Sequence, residues 1–517
     1  MMESDHGGKG DSSSGGDGDG NDFHADLHRM DKLWAKELYE TSVKDRETIN
    51  DELHGASLSP LHREREDHWP EERYEFYLNQ FQIQLDTKIH LRDKQSYQKG
   101  LDGGSVYITK PEFRLRFLRA ERYDAEKAAI RYCKCLDFLV EFFGRDALFR
   151  PLLMSDLTRN EMKFFREGYI QVLPSRDRLG RRILAQLGNY GGSSYSELEK
   201  FRVCVYVCFS VLAEDFTSQC LGVVSLGTFT LGAENFMRQE LGTISRRIKL
   251  FFSVVPLRWT GVHLCIPDDP VYHVMRSLVL FFLGTNGRRL LRIHVGTPIE
   301  CDYKLRSFGI PTDDIPRTHT HSIKIKKHAR FLKVRKLMDA VVKEAMQTNQ
   351  MNCALQQPGI ECPEINCVLF GRYAWDYPGN IEFRGLLREM GYSQTEQERE
   401  MLDEMNSMVE KVIKEARSRN FRFMVYDRDT FLYTEVKEHE EIRGLVEQSV
   451  REHRKRSRAK RMIDETNLAM ENKVDGETSN DAGSNIGANS FLGQRKDDGA
   501  KYMKDCGGCR CSVGQWK

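Results

Sequence analysis

Pro256-Leu257-Arg258-Trp259-Thr260-Gly261-Val262-His263-Leu264-Cys265-Ile266-Pro267-Asp268-Asp269-Pro270 opens a stretch that decides the fold and runs on to Leu290-Leu291-Arg292-Ile293-His294-Val295-Gly296. Its punctuation marks three elements. Gly261 to Ile266 is a strand, stopped by Pro267, which has no N–H to give to a ladder. Asp268 and Asp269 cap a helix whose first turn accepts Pro270. That helix is nearly all apolar from Val271 to Leu283, and Gly284 with the turn Thr285-Asn286-Gly287 ends it. Leu290 to Val295 is a second strand. Strand, helix, strand is the unit of a parallel sheet covered by helices. A helix apolar almost all round is either buried or turns its outer face to something hydrophobic.

A chain of 517 residues exceeds one core, so two or three domains are expected. Hydrophobic residues at 40% suffice for globular parts, while charged residues at 30% and a mean hydropathy of −0.56 indicate much solvated surface. The net charge of +1 leaves any partner preference to local patches. No run of apolar residues is long enough to span a membrane, and the opening Met1-Met2-Glu3-Ser4-Asp5 has no apolar leader. The 13 cysteines are mostly scattered singly and no N-x-[ST] sequon occurs. Together these favour a reducing intracellular compartment, with the protein cytoplasmic and peripheral to membranes.

Outward from the opening stretch, Arg182 to Leu187 and Cys220 to Phe229 read as two more strands. Long helices separate them, Tyr195 to Phe216 and Phe236 to Val254. Lys110 to Phe143 reads as one helix with an apolar face of Phe113, Phe117, Leu118, Leu136 and Leu139. Residues 1–21 are Gly, Ser and Asp and are expected to be disordered. Residues 22–104 form a helical region, with Trp69 to Ser96 as one of its helices. The fold class is therefore α/β with a mainly parallel sheet.

Two motifs carry a family resemblance. Leu115-Arg116-Phe117-Leu118-Arg119-Ala120, followed by Tyr123-Asp124 and Lys127-Ala128, lies upstream of Gly261-Val262-His263-Leu264-Cys265-Ile266-Pro267, the apolar helix and Arg292-Ile293-His294-Val295-Gly296. Together they resemble the CRAL-TRIO (Sec14-like) lipid-binding family over roughly residues 105–320. The resemblance implies a helical cap at 105–150 and a lipid-binding lobe at 160–320. It also implies that the apolar helix is a gate over a pocket for one lipid. Asp177, Gly180 and Arg181 match the family's turn into the first strand, but Arg182 stands where its proline is usual. The stretch Arg46 to Gly55 resembles a leader of microalgal members of the same family.

Past the lobe, 321–357 holds a basic helix and linker. Lys324, Lys326, Lys327, Arg330 and Lys333 would suit an anionic membrane surface; the alternative is a bridging helix whose cations are merely solvated. After the linker Gln356 to Pro363, Asn366-Cys367-Val368-Leu369-Phe370-Gly371-Arg372 with Pro378-Gly379-Asn380 and Phe383-Arg384 resembles an uncharacterised microalgal domain. A small α+β domain is expected at 361–456, with a helix from Gln397 to Ala416, paired strands at Phe421 to Tyr426 and Phe431 to Val436, and a last helix from Glu438. Residues 457–517 are read as the end of a basic run, Arg451 to Arg461, and a disordered tail closing on Cys506, Cys509 and Cys511. The run fits a nuclear or nucleic-acid signal or a solvated helix end equally well.

Catalytic patterns are missing from the sequence. No glycine-rich phosphate loop occurs, Val223 spoils a nucleophile elbow around Ser225, and Asp268 and Asp269 beside His273 sit where caps belong. No enzymatic activity, cofactor or metal is expected. The gate and pocket candidates are Val271, Val274, Met275, Leu278, Leu280, Phe281 and Phe282. Arg258, Arg288 and Arg292 are the head-group candidates, with Glu121 and Thr260 standing where the family often has cations. Two functions follow. One is binding and transfer, or sensing, of a hydrophobic lipid, a phospholipid or phosphoinositide among the choices. The other is a regulatory adaptor whose C-terminal domain and basic run bind protein or nucleic acid.

Overall fold

Strand β3, Val223–Phe229, is the middle of a five-stranded sheet whose strands lie in chain order: β1, Ile170–Val172; β2, Arg182–Gly188; β3; β4, Trp259–Ile266; and β5, Leu291–Val295. β1 runs antiparallel to β2, and the other neighbours are parallel. This computed structural model describes residues 32–54, 69–188, 195–229, 241–318, 320, 322–348, 359–371, 377–390 and 401–478. The described residues up to Val450 form one compact unit, and those from Arg451 on form a second.

Before the sheet come α1 (32–40), α2 (Val43–His54), α3 (Glu71–Thr87), α4 (Gln95–Asp102), α5 (Pro111–Ala120), α6 (Ala125–Phe143) and α7 (Arg159–Glu167). The crossovers carry α8 (Glu197–Val207), α9 (Phe216–Leu221), α10 (Leu241–Val254) and α11 (Pro270–Leu290). Crossovers of one hand between strands in sequential order lay their helices on one face of a sheet. The other face is covered from further along the chain, by α12 (Pro298–Ser307) and the segment after it. Cys301, Leu305, Ile310 and Ile315 pack there against Ile183, Ala185, Val224 and Leu226.

Local chemistry explains the places where the elements break. Lys110 to Phe143 is two helices, not the one expected. Arg122 and Tyr123 take left-handed φ of 51° and 65°, and Asp124 then caps α6 by accepting the Lys127 N–H. Tyr195 to Phe216 also divides. α8 runs into a π-helical turn at Cys208–Leu212, and Asp215 caps α9 by accepting from the Ser218 N–H. Cys220 belongs to that helix and not to the strand. Gly222, at φ 82°, ends α9 and releases β3 from Val223. The turn before β2 is built on Asp177, whose Oδ1 accepts the N–H groups of Leu179 and Arg181 and whose Oδ2 takes Arg181 Nε at 2.6 Å.

The remainder is α13 (Lys326–Gln347), β6 (Cys367–Phe370), α14 (Pro378–Glu389), α15 (Met401–Ser418), β7 (Arg422–Tyr426), β8 (Tyr433–Glu435) and α16 (His439–Thr478). β6 pairs parallel with β7, and β7 antiparallel with β8, in a second sheet of three strands. The segment from 359, expected as a linker, is fastened on both sides. Ile360 exchanges backbone hydrogen bonds with Tyr433. Arg176 grips Asp215 through both oxygens and donates to the carbonyls of Cys362 and Pro363. Arg182, the departure from the family's proline, reaches Glu361 at 3.2 Å. The basic run from Arg451 continues α16 as helix, with Arg451, Lys455 and Arg456 exposed. Residues 1–21, Phe236 and the tail cysteines Cys506, Cys509 and Cys511 lie outside the described residues.

Candidate ligand-binding site

Alternation along β3 sorts its side chains between two unlike faces. Val224, Leu226 and Thr228 are buried, whereas Ser225, Gly227 and Phe229 are only partly so. Register extends the difference across the sheet. One row is Leu184, Ser225, Val262 and Leu291, and the next is Gln186, Gly227, Leu264 and Ile293. In those rows Gln186, Val262 and Ile293 are also partly buried, while Leu184, Leu264 and Leu291 are buried; on the opposite face Ile183, Ala185, His263, Cys265 and His294 are buried and Arg292 is partly so. Protein interiors are close-packed, so incomplete burial on one face of a central strand marks space above it.

Three crossover helices stand over that face. Cys204 of α8 lies 4.0 Å from Gln186 Nε2. Phe201 of α8, Phe251 and Phe252 of α10 and Trp259 form an aromatic group with ring centroids 5.3–6.4 Å apart. Tyr272 and Leu280 of α11 pack with Leu264, Ile266 and Leu291. The floor rows carry no charged side chain. Gln186 and Ser225 are their polar groups. A lining of this chemistry suits an apolar body with at most an uncharged polar end.

Leu280 is the gate candidate whose side chain is described, and it is fully buried. Val271, Val274, Met275, Leu278, Phe281 and Phe282 belong to α11, but their side chains lie outside the described part. The expected helix end at Gly284 is a break within α11, where φ 63° and ψ 177° interrupt the helix before it resumes to Leu290. Asp269 serves the helix start through its carbonyl, which accepts the Tyr272 N–H at 2.9 Å.

The head-group candidates do not converge on one point. Arg258 is bound to Glu52 at 2.6 Å and to the Cys220 carbonyl at 3.2 Å. Burial, partly offset by Glu52, holds its guanidinium below the ordinary arginine range. Arg288 meets both carboxylate oxygens of Glu37, with Nε to Oε2 at 2.7 Å. The hydrogen bond from Arg288, more than burial opposes it, holds the Glu37 carboxyl below its usual value. Arg292 points to the opposite face, beside His263 in register, and donates to the carbonyls of Arg289 and Leu291. Glu121, which stands where the family often has a cation, is paired with Arg131 at 2.5 Å. Thr260 is buried and donates to the Val223 carbonyl.

Among the docking candidates, Lys324 and Lys326 are exposed and have no acidic partner among the described residues. Lys327 is paired with Asp314. Arg330 and Lys333 lie over the Phe431 ring, at 5.5 and 5.9 Å from its centroid. The other side of α13 is buried: Phe331 and Leu332 join the main core, and His328 bonds the Phe165 carbonyl. α13 thus bridges the lobe and the second sheet.

Sequence reasoning missed Trp34, Glu37 and Glu52, the residues that engage α11 and Arg258. It also missed the buried pair His263–His294, whose Nδ1 and Nε2 are 3.0 Å apart. Compared with known proteins, the chain matches no family model and no curated protein. Among the described residues, no helix is long and apolar enough to cross a membrane, and no cluster of side chains has the make-up of a metal site.

Proposed function

We propose that this protein binds one hydrophobic lipid between the open face of the five-stranded sheet and helices α8, α10 and α11, and carries it to or from a membrane surface. The observation that carries the reading is the one-sided closure of β3. Burying a dozen methylenes would give roughly 10 kcal/mol gross, before ordering costs, so no charged contact is required for tight binding. Access is through α11, whose break at Gly284 gives it a hinge-like point. The resemblance of the two motifs to the CRAL-TRIO family agrees with this reading. With Arg258 and Arg288 already engaged by carboxylates, a neutral or weakly polar lipid suits the site better than a phosphoinositide. Lys324 and Lys326, with Arg330 and Lys333 beside them, are exposed cations that would meet an anionic membrane.

The test is native mass spectrometry of the full chain purified without detergent, followed by lipid extraction and identification. One lipid per chain is expected. An empty protein that also takes up nothing from vesicles of mixed neutral and anionic lipids would overturn the proposal.

A further inference from the structure

The two helices at the start of the described chain hold the lobe in unlike ways. α2 touches α11 but is fixed chiefly to the sheet and to the segments beside it. Glu52 binds Arg258 and Arg122, and its backbone carbonyl accepts from Arg181 at 2.5 Å. Leu53 is fully buried against the sheet beside Gly261, and His54 stacks on Phe308 at 4.4 Å. α1, by contrast, is attached to α11. The Trp34 indole N–H donates to the Arg288 carbonyl at 3.0 Å, and the Arg276 guanidinium lies 5.6 Å from the Trp34 ring. Glu37 takes Arg288 with both oxygens and accepts from the Thr285 hydroxyl at 3.1 Å.

These contacts fall on both sides of the break at Gly284. Arg276 precedes it, while Thr285 and Arg288 follow it. Arg288 also donates to the carbonyl of Leu280, across the break. A single element, anchored elsewhere through α2, therefore ties together the two halves of the helix that covers the site. Without that tie, the Arg288 bond to the Leu280 carbonyl is the described side-chain bond that still spans the break.

We infer that residues 32–54 form a strap that holds α11 closed, with α2 as its anchor and α1 as its releasable end. The inference rests on the carrier reading for what the closure controls. α1 is the end that releases because its described hold on α11 is small: one ion pair, two hydrogen bonds, one ring contact and the packing of Trp34 on the cluster of Tyr272 and Leu280. The rest of α1 is largely exposed, Tyr39 at 81%. Release of α1 requires no unfolding of the sheet.

The experiment is hydrogen–deuterium exchange by mass spectrometry on the full chain, wild type against Glu37→Ala. A parallel assay follows transfer of a fluorescent acyl-chain probe from neutral phosphatidylcholine vesicles. Exchange at 284–290 is expected to rise about tenfold while that at 125–143 stays unchanged, since local opening is governed by the contacts of the segment that opens. Probe uptake is expected to quicken by a similar factor. Trp34→Phe, which keeps the ring and removes only the indole donor, is the milder variant and should shift exchange in the same direction by less. Unchanged exchange at 284–290 in both variants, with 32–40 exchanging faster, would overturn the strap. Faster exchange at 284–290 with no probe entering any variant would uphold the strap and count against the carrier reading instead.

Discussion

His263 and His294 share a hydrogen bond on the sealed face of the sheet, where burial, and then each other's or nearby cationic neighbours, opposes a proton. Burial drives His263 well below the ordinary histidine value, and drives His294 down to about 4, helped by Lys304 and Arg292. The unfolded chain therefore binds protons that the folded one refuses, and stability rises with pH across that window. It is complete above about pH 6.5 and is lost progressively as pH falls toward about 4. Urea denaturation should give a lower midpoint at pH 5 than at pH 7.5, and a His263→Asn/His294→Asn variant should show a smaller drop. Glu52 makes a second prediction at this scale. Glu52→Ala strips the carboxylate from Arg258, whose side chain is 13% exposed. An uncompensated buried cation costs on the order of 3 kcal/mol, measurable in the same denaturation experiment. Neither residue announced itself in the sequence. A glutamate in a polar helix looks like any solvated charge, and only the fold brings Glu52 to an arginine more than two hundred positions away.

At the scale of elements, the sequence was most legible where proline and glycine do the punctuating. β4 stops before Pro267 because proline has no N–H for the ladder, and Gly284 interrupts α11, though it breaks the helix where an end was expected. Breaks made by ordinary residues were hidden. Arg122 and Tyr123 adopt left-handed φ without any glycine, although Asp124 as a cap was available as a sign. β6, four residues long, is too short for alternation to show, and α14 lacks a side-chain cap. Gly284 allows a sharp test. Its φ and ψ lie in a region essentially restricted to glycine, and a Cβ there would meet nothing within 4 Å. Gly284→Ala should therefore cost about 1–3 kcal/mol through the backbone alone. Thermal unfolding would register the loss, and a straightened α11 would show as slower exchange at 284–290.

At the scale of the whole molecule, the candidate site was only half legible. The apolar helix and its motif pointed to α11, but the one-sided closure of β3 depends on how three crossover helices fill one face, which no local pattern records. The second sheet was expected as a separate domain after a linker. Instead Arg176 and Arg182, from the turn and first residue of β2, hold residues 359–363, and α13 fills the space between lobe and second sheet. The part of the chain up to Val450 should consequently unfold in one transition. Arg176→Ala, which strips the cation from Asp215 and removes one donor each from the carbonyls of Cys362 and Pro363, should separate it into two and expose 359–364 to limited proteolysis.

The order of the strands bears on how the chain assembles. Each strand of the five-stranded sheet pairs with the one made just before it, so the sheet can grow from β1 to β5 as the polypeptide leaves the ribosome. The strap is synthesised before all of this, yet the surfaces that receive it, β4 and α11, emerge only after β1 to β3. Its docking must then wait for β4 and α11, and pulse-labelled refolding should protect 223–229 before 32–54. During that interval the nascent lobe stands with its covering helix untethered, and the proposed ligand would meet a site that has not yet been closed.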